Sequence, residues 1–552
     1  MKQKSEFDYI IVGAGSAGCV LARRLTEDNS SSVLLLEAGP IDSSLFLRMP
    51  IALAHLLLSD KYNWYYHTDA EPHMDHREMY CPRGRVLGGS SSINGMVYVR
   101  GNAFDFDGWA GNDLAQWSYA HCLPYFKKAE TYERGGDDYR GHDGPLHVTA
   151  GKTDNPLYQA FIDAGIEAGY PATEDMNGFQ QEGFGIMDRT TFAGKRCSTA
   201  VAYLRPVIER ANLHLQLRAL SHRVLFEGKR AIGVEYQHRG EMHKAYAGKE
   251  VIVCGGTINS PQLLMLSGVG SAEHLQQHDI PVVSDLPGVG QNLQDHLDFT
   301  IQISCKQPIS YAPALKLFGK LGVGLRWLLF KQGIGASNLF ESGGFIRSDT
   351  GVEFPDLQFH FMAIGASYDG SAWIKAHAYQ VFMSLMRPTS RGRVRLRSND
   401  PHASPSILFN YFETQKDQQD VIKGMKLTRE ILHQNAFTPY RGPGISPGDE
   451  VQSDQQILAW ARTKGETEYH PTSTCKMGAD DDAVVDGSLR VHGVESLRVV
   501  DASVMPSVVS GNTNAATIMI AEKAADIIAG KTPLEPLYVA VYRANDYMSS
   551  QR

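Results

Sequence analysis

Apolar residues recur along this chain in two rhythms. Residues 7–12 (FDYIIV) form a short apolar run rich in β-branched and aromatic side chains, followed by glycines and then by a periodic segment at 19–25. A short apolar run bounded by turn residues suits a buried strand, and i, i+3, i+4 spacing suits a helix. The order is therefore strand, turn, helix. Residues 33–36 (VLLL) supply a second buried strand and complete a βαβ unit. Two distant apolar runs, 251–254 and 497–500, are each followed by small residues and then helical patterning, at 260–266 and 515–528. That form places loops at the carboxyl edge of a parallel sheet, and both runs are predicted to join the first one.

The second rhythm fills residues 298–467, where strict alternation (LQFHF at 357–361, VRLR at 394–397) is broken by Pro, Gly and Asp turns. Period-two alternation marks strands with one polar face and predicts a mainly antiparallel sheet. The fold class expected is α/β: a Rossmann-like dinucleotide-binding domain with a second α+β domain built on an antiparallel sheet. A chain of 552 residues exceeds what one hydrophobic core serves. The expected division is discontinuous: residues 1–155, 195–297 and 485–531 in the first domain, 156–194 and 298–484 in the second, and a tail of no assigned role at 532–552. No fixed-period repeat is present.

Residues 314–333 mix Leu, Phe and Trp327 with Lys316, Lys320, Arg326 and Lys331 and contain no acidic residue. Two readings stand: a helix or loop packing between domains with its basic residues in water, or a segment lying on a membrane surface. No uninterrupted apolar run is long enough for a transmembrane helix. The N-terminus, Met1 to Phe7, is polar and runs into a strand without room for a signal peptide, so a cytoplasmic protein, or one peripheral on the inner membrane, is expected.

Composition narrows the chemistry. With 43% hydrophobic and 21% charged residues and a net charge of -8, the chain is an ordinary globular protein without the basic stripe that nucleic-acid binding requires. A small molecule is the expected partner. The seven cysteines are scattered, with no C-x-x-C pair, so neither a metal site nor a redox disulfide is predicted.

Gly13-Ala14-Gly15-Ser16-Ala17-Gly18 is a G-x-G-x-x-G fingerprint between the first strand and helix. Its glycines serve the turn, the approach of a pyrophosphate and helix–strand packing, and the helix N-terminus faces the phosphates. Glu37, at the end of the second strand, is placed for a ribose diol. The fingerprint does not separate FAD from NAD. Residues 84–95 are dense in glycine and hydroxyls and suit close backbone approach to a flat ring or phosphate. Residues 256–270 form a small-residue turn in which Ser260 reads as helix N-cap and Pro261 as the first helical residue.

These last two stretches resemble the signature segments of the glucose-methanol-choline oxidoreductases, and the similarity extends from Tyr9 to about Ala529. The resemblance implies FAD, with Gly13, Gly15, Ser16, Ala17 and Gly18 beside Glu37 and Ala38 at one end. It carries flavin contacts onto Arg85, Val86, Gly89, Asn94, Gly95, Met96 and Val97, and onto Val224, Asp501, Ala502, Asn514 and Ala515. The stretch Tyr469-His470-Pro471 to Gly478 matches the family's histidine motif, implying His470 as the base that takes the hydroxyl proton of an alcohol. Asn512 matches the second catalytic position.

Within the family, residues 177–185, 407–411 and 440–442 are most similar to bacterial choline-oxidising dehydrogenases, while 18–21, 90–94 and 511–515 are closer to membrane-associated alcohol dehydrogenases. The resemblance implies oxidation of choline to betaine aldehyde, with onward oxidation to glycine betaine left open, uncharged primary alcohols as the alternative and a hydroxynitrile lyase-like use of flavin as a reading of another class. A quaternary ammonium requires aromatic faces and a carboxylate. Glu341 and His360 match active-site positions of choline-oxidising relatives, and Trp64 and Tyr469 are candidate ring faces. Ile93 stands where some oxidases carry a flavin-linked histidine, and Gly95 where they carry a serine. Non-covalent FAD is therefore expected, with a quinone or membrane respiratory chain as electron acceptor. A second dinucleotide fingerprint is missing, which excludes a two-dinucleotide flavin reductase.

Overall fold

The computed structural model describes residues 5–111, 113–367, 372, 374 and 376–552; Met1 to Lys4 of the polar N-terminal segment lie outside them. β1 (Glu6–Val12), α1 (Ser16–Arg24) and β2 (Val33–Glu37) form the opening βαβ unit, with the two strands parallel. Leu213–Leu217 continues the parallel sheet beyond β2, and Glu241–Val253 flanks β1 on the other side. Leu497–Val499 pairs in parallel with the end of Glu241–Val253, so both distant apolar runs join the first sheet. The other half of that long strand pairs antiparallel with Arg230–His238, which pairs in turn with Ala219–Glu227.

The fingerprint glycines are required sterically. Gly13 has a φ of +101°, and a Cβ on Gly18 would lie 1.9 Å from the Gly13 carbonyl oxygen. The next helix does not start as its sequence suggests: α2 spans Gly256–Leu266, with Ser260 and Pro261 inside it. A proline within a helix removes the bond to the carbonyl four residues back. Here that carbonyl, of Thr257, accepts the Thr474 hydroxyl at 2.6 Å, while the Ser260 hydroxyl donates to Asp501 at 2.6 Å instead of capping.

The second sheet is antiparallel throughout, in the order Arg441–Ser446, Leu297–Cys305, Ala378–Leu385, Leu357–Met362, Ser342–Ile346, Gly183–Ile186. Leu357, Phe359, Phe361, Val381 and Met383 face a second apolar core. The alternate residues Gln358 and His360 are buried too. Their polar face closes a cavity between the two sheets rather than meeting water.

The cores do not follow the expected boundaries. Cys475, Met477 and Val484 belong to the first core, although residues 298–484 read as second domain; Tyr66, Met74, Met79 and Cys81 belong to the second core, although 1–155 read as first. Tyr66, in one of these segments, lines the cavity between the sheets, and Thr474, in the other, bonds the Thr257 carbonyl of α2. The tail is packed: Leu534, Leu537, Val539 and Val541 lie on the first core, and the Arg552 guanidinium pairs with Glu430 at 2.9 Å.

Residues 314–333 contain α3 (Leu317–Phe330), of which Trp327 is the buried residue; its indole N–H donates to the Gly194 carbonyl at 2.8 Å. Among the described residues no helix is long and apolar enough to cross a membrane. α4 (Thr513–Ile528) packs against α1, and Arg24 grips the buried Glu522 through two nitrogens at 2.8 Å.

Gly18→Ala is expected to cost about 1–3 kcal/mol of stability, the usual range for overpacking, measured by urea denaturation. Gly108→Ala, where an added Cβ meets nothing within 4 Å, should be neutral or stabilising; equal losses at both positions would refute the steric reading of the fingerprint.

Candidate active site

A cavity of about 480 Å³ runs from the carboxyl end of β1 and β2 to the polar face of the second sheet. Gly13, Gly15, Ser16, Ala17, Glu37 and Ala38 line its first end, and Arg85, Gly89, Asn94, Gly95, Met96 and Val97 its middle. Asp501, Ala502 and Asn514 approach from the C-terminal segment, and Trp64, His360, Tyr469, His470 and Asn512 line the far end. Residues more than 450 positions apart in the chain thus share one wall, since α1 and α4 both begin there. The Ser16 hydroxyl donates to Asn514 Oδ1 at 2.7 Å, tying the two helix starts together.

At the far end, Asn512 Nδ2 lies 3.1 Å from His470 Nε2, and Gln358 Nε2 donates to Asn512 Oδ1 at 3.2 Å. With its oxygen engaged, the Asn512 amide presents N–H to His470, and Nε2 must then carry its lone pair. The neutral imidazole's proton therefore sits on Nδ1, which lies 3.4 Å from Glu468 Oε2 and 3.1 Å from His296 Nδ1. The backbone is fixed as well: His470 N donates to Asp295 Oδ1 at 2.8 Å, and Asp295 is held by Tyr411 Oη at 2.6 Å and by the Thr467 hydroxyl.

Glu468 is sealed from water between three histidines, with His360 Nδ1 at 3.4 Å and His296 Nδ1 at 3.6 Å in addition to His470. Burial is the largest single influence on its carboxyl and would raise the pKa. The imidazoles, His470 first, together outweigh it and hold the group below its ordinary value. Burial pushes His296 down to about 3 and lowers His360. A fixed negative charge thus stands behind His470, with His296 and His360 held neutral beside it.

GMC oxidoreductase family models match residues 7–298 and 388–521. The chain is a GMC oxidoreductase. It is 56% identical over 549 residues to "Choline dehydrogenase, mitochondrial" of Mus musculus, covering 98% of this chain and 92% of that protein. It is 54% identical to "Oxygen-dependent choline dehydrogenase 1" of Chromohalobacter salexigens, with all of both chains covered. Among solved structures, pyridoxine 4-oxidase from Mesorbium loti superposes with a TM-score of 0.87 at 30% identity, covering 95% of this chain and 99% of the other. A formate oxidase reaches 0.90 at 26%, covering 96% and 99%. This GMC oxidoreductase is accordingly an FAD-dependent enzyme acting on CH–OH donors.

The cavity fits FAD. α1 and α4 start at it without a side chain capping either first turn, leaving amides aimed where a pyrophosphate binds. A Cβ on Gly89 would stand 2.7 Å from Gly15 Cα, so the two glycine loops make a floor with no room for side chains.

Several residues implied by the resemblance stand elsewhere. Gly18, Val86, Val224 and Ala515 lie behind the cavity wall: Gly18 against Gly13, Val86 in a small core with Ile93, Val224 with its N–H on Ser267, and Ala515 in the first core. Glu341 is a correction of substance. It is bound to Arg189 at 2.6 Å, to the Ser337 hydroxyl and to the Lys152 amide, away from the cavity. Its neighbour Phe340 points into the cavity, and successive residues of extended chain face opposite ways. Trp64 lines the cavity with its ring already stacked on Tyr66 and covered by the Arg85 guanidinium at 4.8 Å.

Residues missed from the sequence are Glu468, His296, Asp298 and the pair Phe340 and Phe382. Glu468 lies immediately before the histidine motif, two positions from His470, and that proximity was its only signal. Asp298 and Phe382 are brought to the site by strand pairing, and His296 and Phe340 by the residues leading into two of the strands.

Glu37 is buried and accepts from Ala14 N at 3.0 Å and Gly39 N at 2.7 Å, yet burial pushes its carboxyl up to about 7. Ribose hydroxyls donate to the ionised form, so FAD affinity of the apoprotein should weaken several-fold as pH falls from 8 to 6. Flavin fluorescence quenching reads this directly. Glu37→Gln should bind FAD more weakly and without that pH dependence; an unchanged pH profile in the variant would remove Glu37 from ribose recognition.

Proposed function

We propose that this GMC oxidoreductase oxidises choline to betaine aldehyde, with His470 as the base and Asn512 as the donor to the developing alkoxide. The observation that carries the reading is the full-length identity of 54–56% with choline dehydrogenases, and the cavity supplies what a cationic alcohol requires. FAD, when bound, accepts the hydride. His470 Nε2 takes the hydroxyl proton, and the Asn512 amide N–H stabilises the oxygen as negative charge gathers on it. Glu468 stabilises the imidazolium that results. Asp298, buried and accepting the Ser384 hydroxyl at 2.9 Å, lines the same end. With Phe340, Phe382 and Tyr469 it takes the place earlier expected of Glu341 in holding the trimethylammonium group.

Anaerobic choline should bleach the flavin, which a non-redox lyase would not permit, and His470→Ala should slow bleaching by about 10²–10⁴-fold. Asp298→Asn should raise KM for choline about tenfold while leaving that for its neutral carbon isostere, 3,3-dimethylbutan-1-ol, nearly unchanged. Faster bleaching by the isostere than by choline in the parent enzyme would move the assignment to uncharged alcohols.

Ile93 supports non-covalent FAD: an apolar side chain packed against Leu47, Leu56 and Val86 lines the cavity. Acid precipitation should release all flavin into the supernatant; flavin retained on the chain would contradict this.

A quinone at the membrane is the proposed acceptor, on the strength of α3. Phe318 and Leu321 are 86% and 62% exposed, and Leu317, Leu325, Leu328 and Leu329 are exposed with them. At about 100° per residue these positions form one stripe covering a third of the helix, flanked by Lys320 and Arg326. Such a face suits an anionic bilayer. The holoenzyme should sediment with anionic vesicles in a salt-sensitive manner, and Leu321→Asp with Leu325→Asp should abolish it; unaltered sedimentation would exclude α3 as the docking face.

A further inference from the structure

His470 Nδ1, His296 Nδ1 and Glu468 Oε2 form a nearly regular triangle, with edges of 3.1, 3.4 and 3.6 Å. Three ligands of a tetrahedral zinc, at about 2.0–2.1 Å from the metal, stand about 3.3–3.4 Å apart. The triangle therefore already has the size of such a ligand set, with one coordination position open. All three side chains are held before any ion arrives. His296 is wholly buried at the start of a sheet strand, the His470 amide is anchored on Asp295, and Glu468 has neither carboxylate oxygen in a conventional hydrogen bond. Two imidazole nitrogens and one carboxylate oxygen suit a borderline first-row cation, zinc above all, and not calcium or magnesium.

We propose that these three residues form an inhibitory zinc site behind the catalytic base. The occupied position is the one that otherwise holds the Nδ1 proton of His470. A neutral imidazole has one lone pair and one N–H. When zinc takes the Nδ1 lone pair, the ring's proton must stand on Nε2, facing Asn512, and that nitrogen no longer accepts the hydroxyl proton of a substrate. Zinc binding moves that proton from Nδ1 to Nε2 of the same ring, takes none from His296 or Glu468, and involves no electron transfer. The ion sits on the side of the ring away from Asn512, so inhibition does not require displacement of the alcohol and is not overcome by raising its concentration. The site itself follows from geometry alone; the inhibition rests on the assignment of His470 as base.

The test uses chelator-treated holoenzyme. Equilibrium dialysis against zinc chloride should give one tightly held zinc per chain, and Glu468→Gln and His296→Gln should each weaken it at least about tenfold. Cobalt(II) should give the visible bands of a four-coordinate site, lost in both variants. Anaerobic flavin reduction by alcohol should stop when zinc binds and return with EDTA. The half-buried pair His274 and His278, rings 4.9 Å apart on one helical turn, is the competing site. Zinc binding that disappears in His274→Ala/His278→Ala but survives Glu468→Gln overturns the proposal and leaves the base assignment untouched. Zinc bound at the triad with flavin reduction unimpaired overturns the inhibition, and with it the role of His470 as base.

Discussion

A carboxylate removed from water must be compensated where it stands, and most of the active end of this enzyme is arranged around that requirement at Glu468. Its desolvation is the largest single influence on its ionisation, and only the combined proximity of His470, His360 and His296 reverses it. Each imidazole is in turn delivered by a different part of the fold: His470 by the loop anchored on Asp295, His296 by the start of Leu297–Cys305, and His360 by the strand Leu357–Met362. Displacing any of these elements would leave a buried charge short of partners, so the charge fixes the relative placement of loop and sheet as much as they fix it. The same arrangement settles which nitrogen of His470 faces the cavity. Gln358 occupies the Asn512 oxygen, Asn512 therefore donates, and the Nε2 lone pair of His470 is turned toward Asn512.

The antiparallel sheet serves this end through its period of two. Leu357, Phe359 and Phe361 form core on one side, which places Gln358 and His360 on the other, His360 lining the cavity and Gln358 reaching Asn512. Pairing then brings Ser384 opposite both Gln358 and Asp298. The same rule explains Phe340 and Glu341: with the ring in the cavity, the carboxylate turns to Arg189. The carboxylate that lines the cavity consequently comes from the strand Leu297–Cys305, at Asp298, rather than from the segment before Ser342–Ile346.

The cofactor end rests on a different principle, the exclusion of side chains. Gly13, Gly15, Gly18 and Gly89 allow two loops and a helix to approach to backbone contact, and the uncapped starts of α1 and α4 supply positive potential at the same place. Even the proline inside α2 is accommodated, because Thr474, four residues beyond His470, accepts the role of donor to the carbonyl that Pro261 leaves without one. The cofactor cradle and the loop carrying His470 are thereby joined by two hydroxyls, of Thr474 on the Thr257 carbonyl and of Thr257 on the Pro471 carbonyl.

Local pattern determined a good deal of this protein. The opening βαβ unit, its glycine fingerprint, the two distant strands of the first sheet and the antiparallel character of the second were all legible, because each follows from residue spacing within a short window. The motif around His470 and the position of Asn512 were legible by resemblance. What only the tertiary structure decided depends on pairing across hundreds of residues. Alternation at 357–361 implied a polar face, but whether that face met water or a buried carboxylate depended on what packed over it. The apolar stripe of α3 was visible as composition, but its exposure was settled by the single residue, Trp327, that anchors the helix. Glu341 and Glu468 are equally acidic in the sequence. One became a structural ion pair and the other the charge beside His470, because the direction of a side chain is set by the segment it enters and by the partners waiting there.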